Sequence, residues 1–263
     1  MGETLNVVVT GGNRGVGRAV AAEAARRGHR VTIMARRPDE GRAAAREIGA
    51  ELLVGDLSTL RTARAAAGEI AAAVPAIDAL VHNAAVWPSR RDLNEDGFEQ
   101  AFFTNHLAPF LLNQLLERQL RRVVQVSAGL YVMGKVDPDR TPAGADFSAT
   151  KTYANTKLAN LLMVPLFAER WKDAGVTIDA VHPGVLRTGL GERGGVQGLL
   201  LRTVKRTLKS AEAGAEPVAN LLTAEGTGRY FHGRREQRLK PVARDTALAR
   251  RLWDDAVKAV DAA

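Results

Sequence analysis

The chain has 263 residues, 46% of them hydrophobic, and it contains no cysteine, which excludes disulfides, a thiolate nucleophile and thiolate metal ligands. No apolar run approaches the ~20 residues that cross a bilayer, and the first residues lack the layout of a signal peptide, so we expect a cytoplasmic protein without stable membrane insertion. The net charge of +8 is spread among acidic, alanine-rich segments, which is typical of solvated helix faces, and we expect no nucleic-acid partner.

Short runs rich in Val, Ile and Leu alternate with longer alanine-rich segments along the chain. The short runs do not alternate between polar and apolar residues, as expected for strands buried on both faces. The predicted strands are 5–10, 30–35, 51–55, 78–82, 122–126, 176–182 and 229–232, and the predicted helices are 16–27, 39–48, 60–73, 96–119, 153–174 and 211–224. Repeated β-α units predict a single α/β domain over residues 1–263, with a doubly wound parallel sheet of about seven strands and helices on both faces.

A glycine-rich turn joins the first predicted strand to the first predicted helix, with the sequence Thr10-Gly11-Gly12-Asn13-Arg14-Gly15-Val16-Gly17. Such a turn lets the backbone approach a pyrophosphate, and the helix N-terminus adds N–H donors and a favourable dipole. The alternative is a tight turn that serves packing alone. We therefore expect a dinucleotide cofactor, and we expect it to contact Gly11, Asn13, Arg14, Gly15, Val16 and Gly17.

The end of the second predicted strand indicates which dinucleotide binds. The sequence Ala35-Arg36-Arg37 lacks the acidic residue that accepts hydrogen bonds from the ribose hydroxyls of NAD. The guanidinium groups of Arg36, Arg37 and Arg14 suit the 2′-phosphate of NADP. The residues therefore favour NADP, with a merely solvated Arg37 as the alternative.

A tyrosine and a lysine lie four residues apart at the start of the predicted helix 153–174, in Tyr153-Ala154-Asn155-Thr156-Lys157. This spacing places both side chains on one helical face. A free phenol has a pKa of about 10 and needs help to exchange its proton near neutrality. Because a nearby ammonium favours the phenolate, the pair predicts general acid/base catalysis. The alternative is a surface tyrosine beside an unrelated lysine.

In this order and separation, the glycine turn and the Tyr153/Lys157 pair resemble the classical short-chain dehydrogenase/reductase (SDR) family over nearly the whole chain. Four stretches are similar to its retinol-dehydrogenase-like branch: 105–112, 157–161, 182–188 and the ending from 228–231 to 252–253. The resemblance implies a Rossmann fold and an oxidoreductase that transfers a hydride between NADP(H) and a small-molecule substrate. It also implies a homodimer or homotetramer.

The resemblance assigns roles to further residues. Lys157 would also bind the nicotinamide ribose, and Asn105 would position a water that relays protons, unless it only satisfies a helix distortion. Further cofactor contacts are implied for Asp56, Leu57, Asn83, Ala84, Ala85, Pro183, Gly184, Val185 and Thr188.

The family carries a serine that hydrogen-bonds the substrate oxygen, and Ala128 stands at that position. Ser127 is one residue early, so in extended chain it faces away from the reacting carbon unless a bulge re-aims it. Loss of one such donor typically costs ~10²–10³ in rate. Ala128 therefore leaves three functions open. The protein reduces a carbonyl or an enone, it is a non-redox enzyme such as a cyclase, isomerase or dehydratase, or it is an NADP-binding regulator without turnover.

The substrate pocket is expected to be apolar and to take a bulky substrate, because large apolar side chains follow the predicted strands. Its predicted residues are Trp87, Ser127, Ala128, Tyr131 and Met133. The glycine-rich and leucine-rich segment 189–210 is interpreted as a substrate lid, with a self-packing face and a basic membrane-touching helix as alternatives. Since the histidines lack the spacing of metal ligands, we expect no metal.

Overall fold

A computed structural model describes residues 3–184 and 210–261 of the chain. The strands are β1 Asn6–Thr10, β2 Arg30–Ala35, β3 Glu51–Val54, β4 Ala79–His82, β5 Arg122–Val126, β6 Thr177–His182, β7 Tyr230–His232 and β8 Arg235–Glu236. They form a sheet in the order β3-β2-β1-β4-β5-β6-β7-β8, in which β1 to β7 are parallel and β8 pairs antiparallel with β7.

Helices follow the strands in the βαβ pattern. They are α1 Gly15–Arg26, α2 Pro38–Ile48, α3 Leu60–Ala73, α4 Gln100–Phe102, α5 Ala108–Leu115, α6 Ala149–Arg170, α7 Ala211–Asn220 and α8 Thr246–Asp261. A π-helical turn, Phe103–Leu107, joins α4 to α5, and 3₁₀ turns lie at Glu117–Gln119, Gly129–Met133 and Pro241–Arg244.

The two faces of the sheet are both buried. On one face, Val9 of β1 belongs to the same apolar cluster as Val20 of α1 and Val218 of α7. On the other, Val8 shares a cluster with Leu158 of α6. Each such side chain contributes ~1.5–3 kcal/mol on full burial. Two covered faces explain the strands' near-continuous apolar character and confirm the predicted doubly wound α/β fold.

The reversal of strand order at β1 positions the site. β2 and β4 lie on opposite sides of β1, so the crossovers after β1 and β4 leave in opposite directions. In open parallel sheets, a crevice forms beyond the carboxyl ends of the strands at such a reversal, and ligands bind there. The loops after β1, β2 and β4 therefore meet at one edge.

The predicted helix 96–119 is wrong at its start. The Asn94 side chain accepts hydrogen bonds from the N–H groups of Asp96 and Phe98 at 3.1 and 3.0 Å. These bonds hold a local turn in place of the first helical turn, and helix begins only at Gln100. The π-helical turn then interrupts the segment, which the hydrophobic pattern did not indicate.

The carboxyl-terminal part of the chain differs from the prediction in its elements. The sheet has an eighth strand, β8, and α8 was not predicted. The predicted helices 153–174 and 211–224 end earlier, at Arg170 and Asn220. Trp253 of α8 packs edge-on against Phe110 and Phe167, which ties α8 to α5 and α6.

Across residues 3–184 and 210–261, no helix has both the length and the apolar character needed to cross a membrane. The same residues contain no group of three or more His, Asp or Glu side chains arranged to hold a metal ion. Residues 189–209 of the predicted lid lie outside the described residues, as do Val185 and Thr188.

Candidate active site

A cleft of about 400 Å³ lies at the carboxyl edge of the sheet, where the strand order reverses. Twelve of the predicted cofactor residues line it: Gly11, Asn13, Arg14, Gly15, Val16, Arg36, Arg37, Asp56, Leu57, Asn83, Ala84 and Ala85. Residues that were not predicted line it too: Met34, Ala35, Glu40, Gly55, Val86 and Thr104. Ala35 and Gly55 stand at strand ends, so strand boundaries alone would have found them.

The glycine turn is built around close backbone contact. Asn83 Nδ2 donates to the carbonyl oxygens of Thr10 and Gly11 at 3.0 and 3.1 Å, which joins the turn after β1 to the loop after β4. Gly17 of α1 lies directly against this junction. A Cβ atom at position 17 would be 2.2 Å from Asn83 Nδ2 and 2.3 Å from the Gly11 oxygen. Only glycine at position 17 allows this approach.

The N-terminus of α1 is suited to an anion. Its N-cap residue, Arg14, is extended and makes no capping hydrogen bond through its side chain, and the first turn contains no acidic residue. The first N–H groups of a helix have no intrahelical partners and carry the positive end of the helix dipole. Since Gly15 and Val16 line the cleft, these donors border it. The arrangement fits a dinucleotide pyrophosphate.

Three arginines surround the part of the cleft next to β2. Arg14, Arg36 and Arg37 all line the cleft, as do the carboxylates of Glu40 and Asp56. Glu40 pairs with Arg37 and also accepts a hydrogen bond from Asn13 Nδ2 at 3.1 Å. The Arg37 and Glu40 side chains are 64% and 43% exposed, so water screens this pair. An anion in the cleft can therefore replace Glu40 as the partner of Arg37 at small cost.

Tyr153 and Lys157 lie on one face of α6, as the spacing predicted. Both are buried, and Lys157 Nζ lies 5.5 Å from the centre of the Tyr153 ring and donates to the Val126 oxygen at 3.1 Å. Burial lowers the pKa of Lys157 to about 8 and raises the pKa of Tyr153 above its usual value. The phenol is therefore held in its protonated form, in which it can donate a proton.

Asn105 connects three parts of the site from within the π-helical turn. Its Oδ1 accepts from the Val86 N–H at 2.8 Å, and its Nδ2 donates to the Val86 oxygen at 2.9 Å and to Thr156 Oγ1 at 3.2 Å. Its main-chain oxygen accepts from Asn160 Nδ2 at 2.8 Å. The amide side chain thus fixes the loop after β4 against α6.

Trp87, which follows Val86, lies on the phenol of Tyr153. The two rings are stacked, with centres 4.4 Å apart and planes inclined by 9°. At the end of β5, the Ala128 backbone is extended, with φ −142° and ψ 147°. Side chains therefore alternate there, and Ser127 is buried whereas Ala128 is partly exposed.

The family follows from comparison with known proteins. A profile of the family described as short chain dehydrogenase matches residues 5–195, which is more than half of the chain. The chain belongs to the short-chain dehydrogenase/reductase family.

Relatives of this short-chain dehydrogenase include retinol dehydrogenase 13 of Homo sapiens, 34% identical over 277 positions that cover 97% of this chain and 84% of that protein. Retinol dehydrogenase 12 of Homo sapiens is 36% identical over 264 positions, which cover 94% and 84%. The resemblance to the retinol-dehydrogenase-like branch is confirmed, and the chain is an enzyme of this oxidoreductase family.

Solved structures share the fold. An uncharacterised protein from Mycobacterium paratuberculosis matches with a TM-score of 0.79 and 29% identity, over 98% of this chain and 93% of that one. A short chain dehydrogenase from Burkholderia cenocepacia, in complex with NADP, matches with a TM-score of 0.70 and 24% identity, over 87% and 95%. The predicted Rossmann fold is thereby confirmed.

The remaining predicted residues of the short-chain dehydrogenase differ in their exposure and contacts. Tyr131 is buried, accepts a hydrogen bond from the Lys240 N–H at 3.2 Å and packs edge-on against Tyr230. Met133 is 56% exposed. Pro183 and Gly184 follow β6, and Gly184 has a φ of 107° that favours glycine. Neither Tyr131 nor Met133 lines the cleft.

Three of the five histidines, His82, His106 and His182, are buried and neutral. His82 pairs with Asn113 at 2.8 Å and His106 pairs with Asn160 at 2.9 Å. His182 stacks beside a neighbouring histidine of β7. Burial lowers the pKa of each of the three to about 4, so they carry no charge near neutral pH.

Proposed function

We propose that this enzyme transfers a hydride between NADP(H) and a bulky apolar carbonyl compound, the corresponding alcohol, or an enone. The observation that carries the proposal is the buried Tyr153/Lys157 pair. Tyr153 stacks on Trp87, whose neighbour Val86 lines a cleft that presents a helix N-terminus and three arginines. NADPH bound there would supply the hydride.

Tyr153 would supply the proton that the reduction requires. Reduction converts the substrate oxygen to an alcohol, so the oxygen needs a proton as the carbon gains its hydride. Burial raises the pKa of Tyr153, which keeps it protonated but makes it a weaker acid. Tyr153 would donate its proton to the substrate oxygen, and the ammonium of Lys157, 5.5 Å from the centre of its ring, would stabilise the phenolate that remains. In the oxidative direction the same pair accepts the proton from the alcohol.

The preference for NADP rests on Arg14, Arg36 and Arg37, which offer charge-assisted hydrogen bonds to a 2′-phosphate. Asp56 and Leu57 border the same cleft and would contact the adenine. The N–H groups of α1 would hold the pyrophosphate.

The substrate class rests on the apolar aromatic face of Trp87 beside Tyr153 and on the similarity to retinol dehydrogenases. A flat conjugated aldehyde such as all-trans-retinal matches the aromatic face of Trp87 and, as the aldehyde of retinol, the substrate named for those relatives. Aromatic ketones and enones share its planar shape. We also propose a homodimer or homotetramer in the cytoplasm, testable by light scattering and by fractionation.

Ala128 favours a second candidate, a non-redox enzyme on the same scaffold, such as a cyclase, isomerase or dehydratase. Without a hydroxyl at position 128, the site has one donor fewer for an oxygen that gains negative charge. A non-redox step that builds no negative charge on an oxygen at this corner does not need that donor. It would form product without consuming NADPH.

The test uses NADPH deuterated at the transferable C4 position with all-trans-retinal, decanal, benzaldehyde and benzylideneacetone. We expect deuterium in the product, and its position separates carbonyl from C=C reduction. Product formed without deuterium and without loss of NADPH absorbance would contradict the proposal and support the non-redox alternative.

A further inference from the structure

The stack of Trp87 on Tyr153 contains an unused hydrogen-bond donor. Trp87 Nε1 is buried, and within the described part of the chain no acceptor lies within hydrogen-bond distance of it. A buried indole N–H normally has a partner, because leaving it unpaired is costly. This donor therefore points to a ligand group that accepts a hydrogen bond beside the phenol.

The position of this indole is fixed by its neighbours. Asn105 holds both main-chain groups of Val86, the residue before Trp87. On its other side, the indole lies nearly parallel to the Tyr153 ring at 4.4 Å. A donor that is held in place before reaction stabilises developing charge without reorganisation.

Two other polar atoms of this region also lack partners among residues 3–184 and 210–261, Ser127 Oγ and His182 Nδ1. Ser127 lies on the opposite face of the extended chain from Ala128. His182 stacks against His232, and its Nε2 faces Gly129, where a Cβ would be 3.1 Å away. Trp87 differs from both because its ring is in contact with Tyr153.

We propose that the Trp87 indole N–H is the second hydrogen-bond donor to the substrate oxygen, in place of a hydroxyl at position 128. The inference rests on the proposed function. In the reduction, the carbonyl carbon gains a hydride from the cofactor, the C=O π bond breaks, and the oxygen takes the proton of Tyr153. Trp87 keeps its proton, since an indole N–H only donates a hydrogen bond.

The first test compares Trp87→Phe, which keeps an aromatic ring but removes the donor, with the double variant Trp87→Phe/Ala128→Ser. With all-trans-retinal and NADPH, we expect kcat of Trp87→Phe to fall by ~10²-fold and the serine of the double variant to restore most of it. The matched control is Trp171→Phe, because Trp171 Nε1 is also buried and without a partner among the described residues. Trp171 packs on Phe167 in the core, so its loss should leave kcat unchanged.

A wild-type kcat in Trp87→Phe would overturn the inference, and so would equal losses of kcat in Trp87→Phe and Trp171→Phe. Unchanged NADPH affinity in Trp87→Phe shows that the site has kept its fold. An enzyme whose wild type transfers no deuterium to any carbonyl contradicts the proposed function, and that result is separate from the comparison of variants.

The second test needs no turnover. The chain has three tryptophans, so ¹⁵N-labelled tryptophan gives three indole N–H resonances, and Trp87→Phe assigns that of Trp87. Benzylideneacetone is added in the presence of NADP⁺, a pair that cannot react. We expect the Trp87 proton to move downfield while the other two stay in place. A Trp87 resonance that does not move when benzylideneacetone binds would overturn the inference.

Discussion

Replacement of Arg36 and Arg37 by alanine is expected to reduce the preference for NADPH over NADH. Both side chains line the cleft beside β2. In the cofactor-free protein Arg37 pairs with Glu40, so binding of a 2′-phosphate exchanges one partner of the guanidinium for another. The effect of the substitution depends on the difference between these two interactions.

The magnitude follows from the exposure of the existing pair. An ion pair with side chains 64% and 43% exposed is largely screened, and such pairs are worth ~0.2–1 kcal/mol. Hydrogen bonds to a charged group are worth ~1.5–3 kcal/mol. For Arg37 the exchange therefore gains about 1–2 kcal/mol, or roughly tenfold in affinity, and we take a gain of the same size for Arg36. The double variant should bind NADPH ~10²-fold more weakly and NADH nearly as before.

The assay is titration of cofactor fluorescence to obtain Kd for NADPH and for NADH. The matched control is Arg42→Ala, because Arg42 lies on α2, a few residues after Arg37, pairs with Asp39 at i,i+3 as Arg37 does with Glu40, and does not line the cleft. Its Kd for both cofactors should be unchanged. Equal weakening of NADPH and NADH by the double variant would refute the reasoning, since the arginines would then contact parts that both cofactors share.

Three further results are expected. Gly17→Ala should weaken NADPH binding at least tenfold and lower the free energy of unfolding by ~1–3 kcal/mol, because the added Cβ would lie 2.2 and 2.3 Å from atoms of Asn83 and Gly11. The control is Gly68→Ala, which has open space around it and should raise the free energy of unfolding, measured in urea, by ~0.5–1 kcal/mol. Asn105→Ala should lower the free energy of unfolding by ~2–3 kcal/mol, because the buried groups of Val86 lose their partner; a loss below ~0.5 kcal/mol would contradict the assigned bonds. The kcat/KM for NADPH should be level below pH 8 and fall above it, because Lys157, whose pKa burial lowers to about 8, loses its positive charge above that pH. A kcat/KM that stays level to pH 10 would contradict this assignment.

The parallel sheet could be predicted because its strands carry their own signal. β2 and β5 coincide with the predicted runs 30–35 and 122–126, since strands buried on both faces must be apolar throughout. Gly28 and Gly49 end α1 and α2 with φ values of 87° and 75°, a conformation that favours glycine. Local sequence therefore determined both these strands and the ends of these helices.

Other features were not predicted, some because a local contact was overlooked and one because it depends on contact between residues far apart in the chain. The start of α4 was misjudged because the Asn94 side chain competes with the helix for main-chain N–H groups. Glu40 belongs to a helix surface in the sequence, yet it lines the cleft and pairs with Arg37. The stacking of Trp87 on Tyr153 likewise requires the fold to bring the loop after β4 to α6.

The central claim is that Tyr153 is the acid and base of a hydride transfer. The most direct measurement compares wild type with Tyr153→Phe, using NADPH deuterated at C4 and all-trans-retinal. The account predicts deuterium in the wild-type product and a loss of at least ~10²-fold in kcat for Tyr153→Phe, with Kd for NADPH unchanged. Tyr153→Phe turnover equal to that of the wild type would contradict the claim.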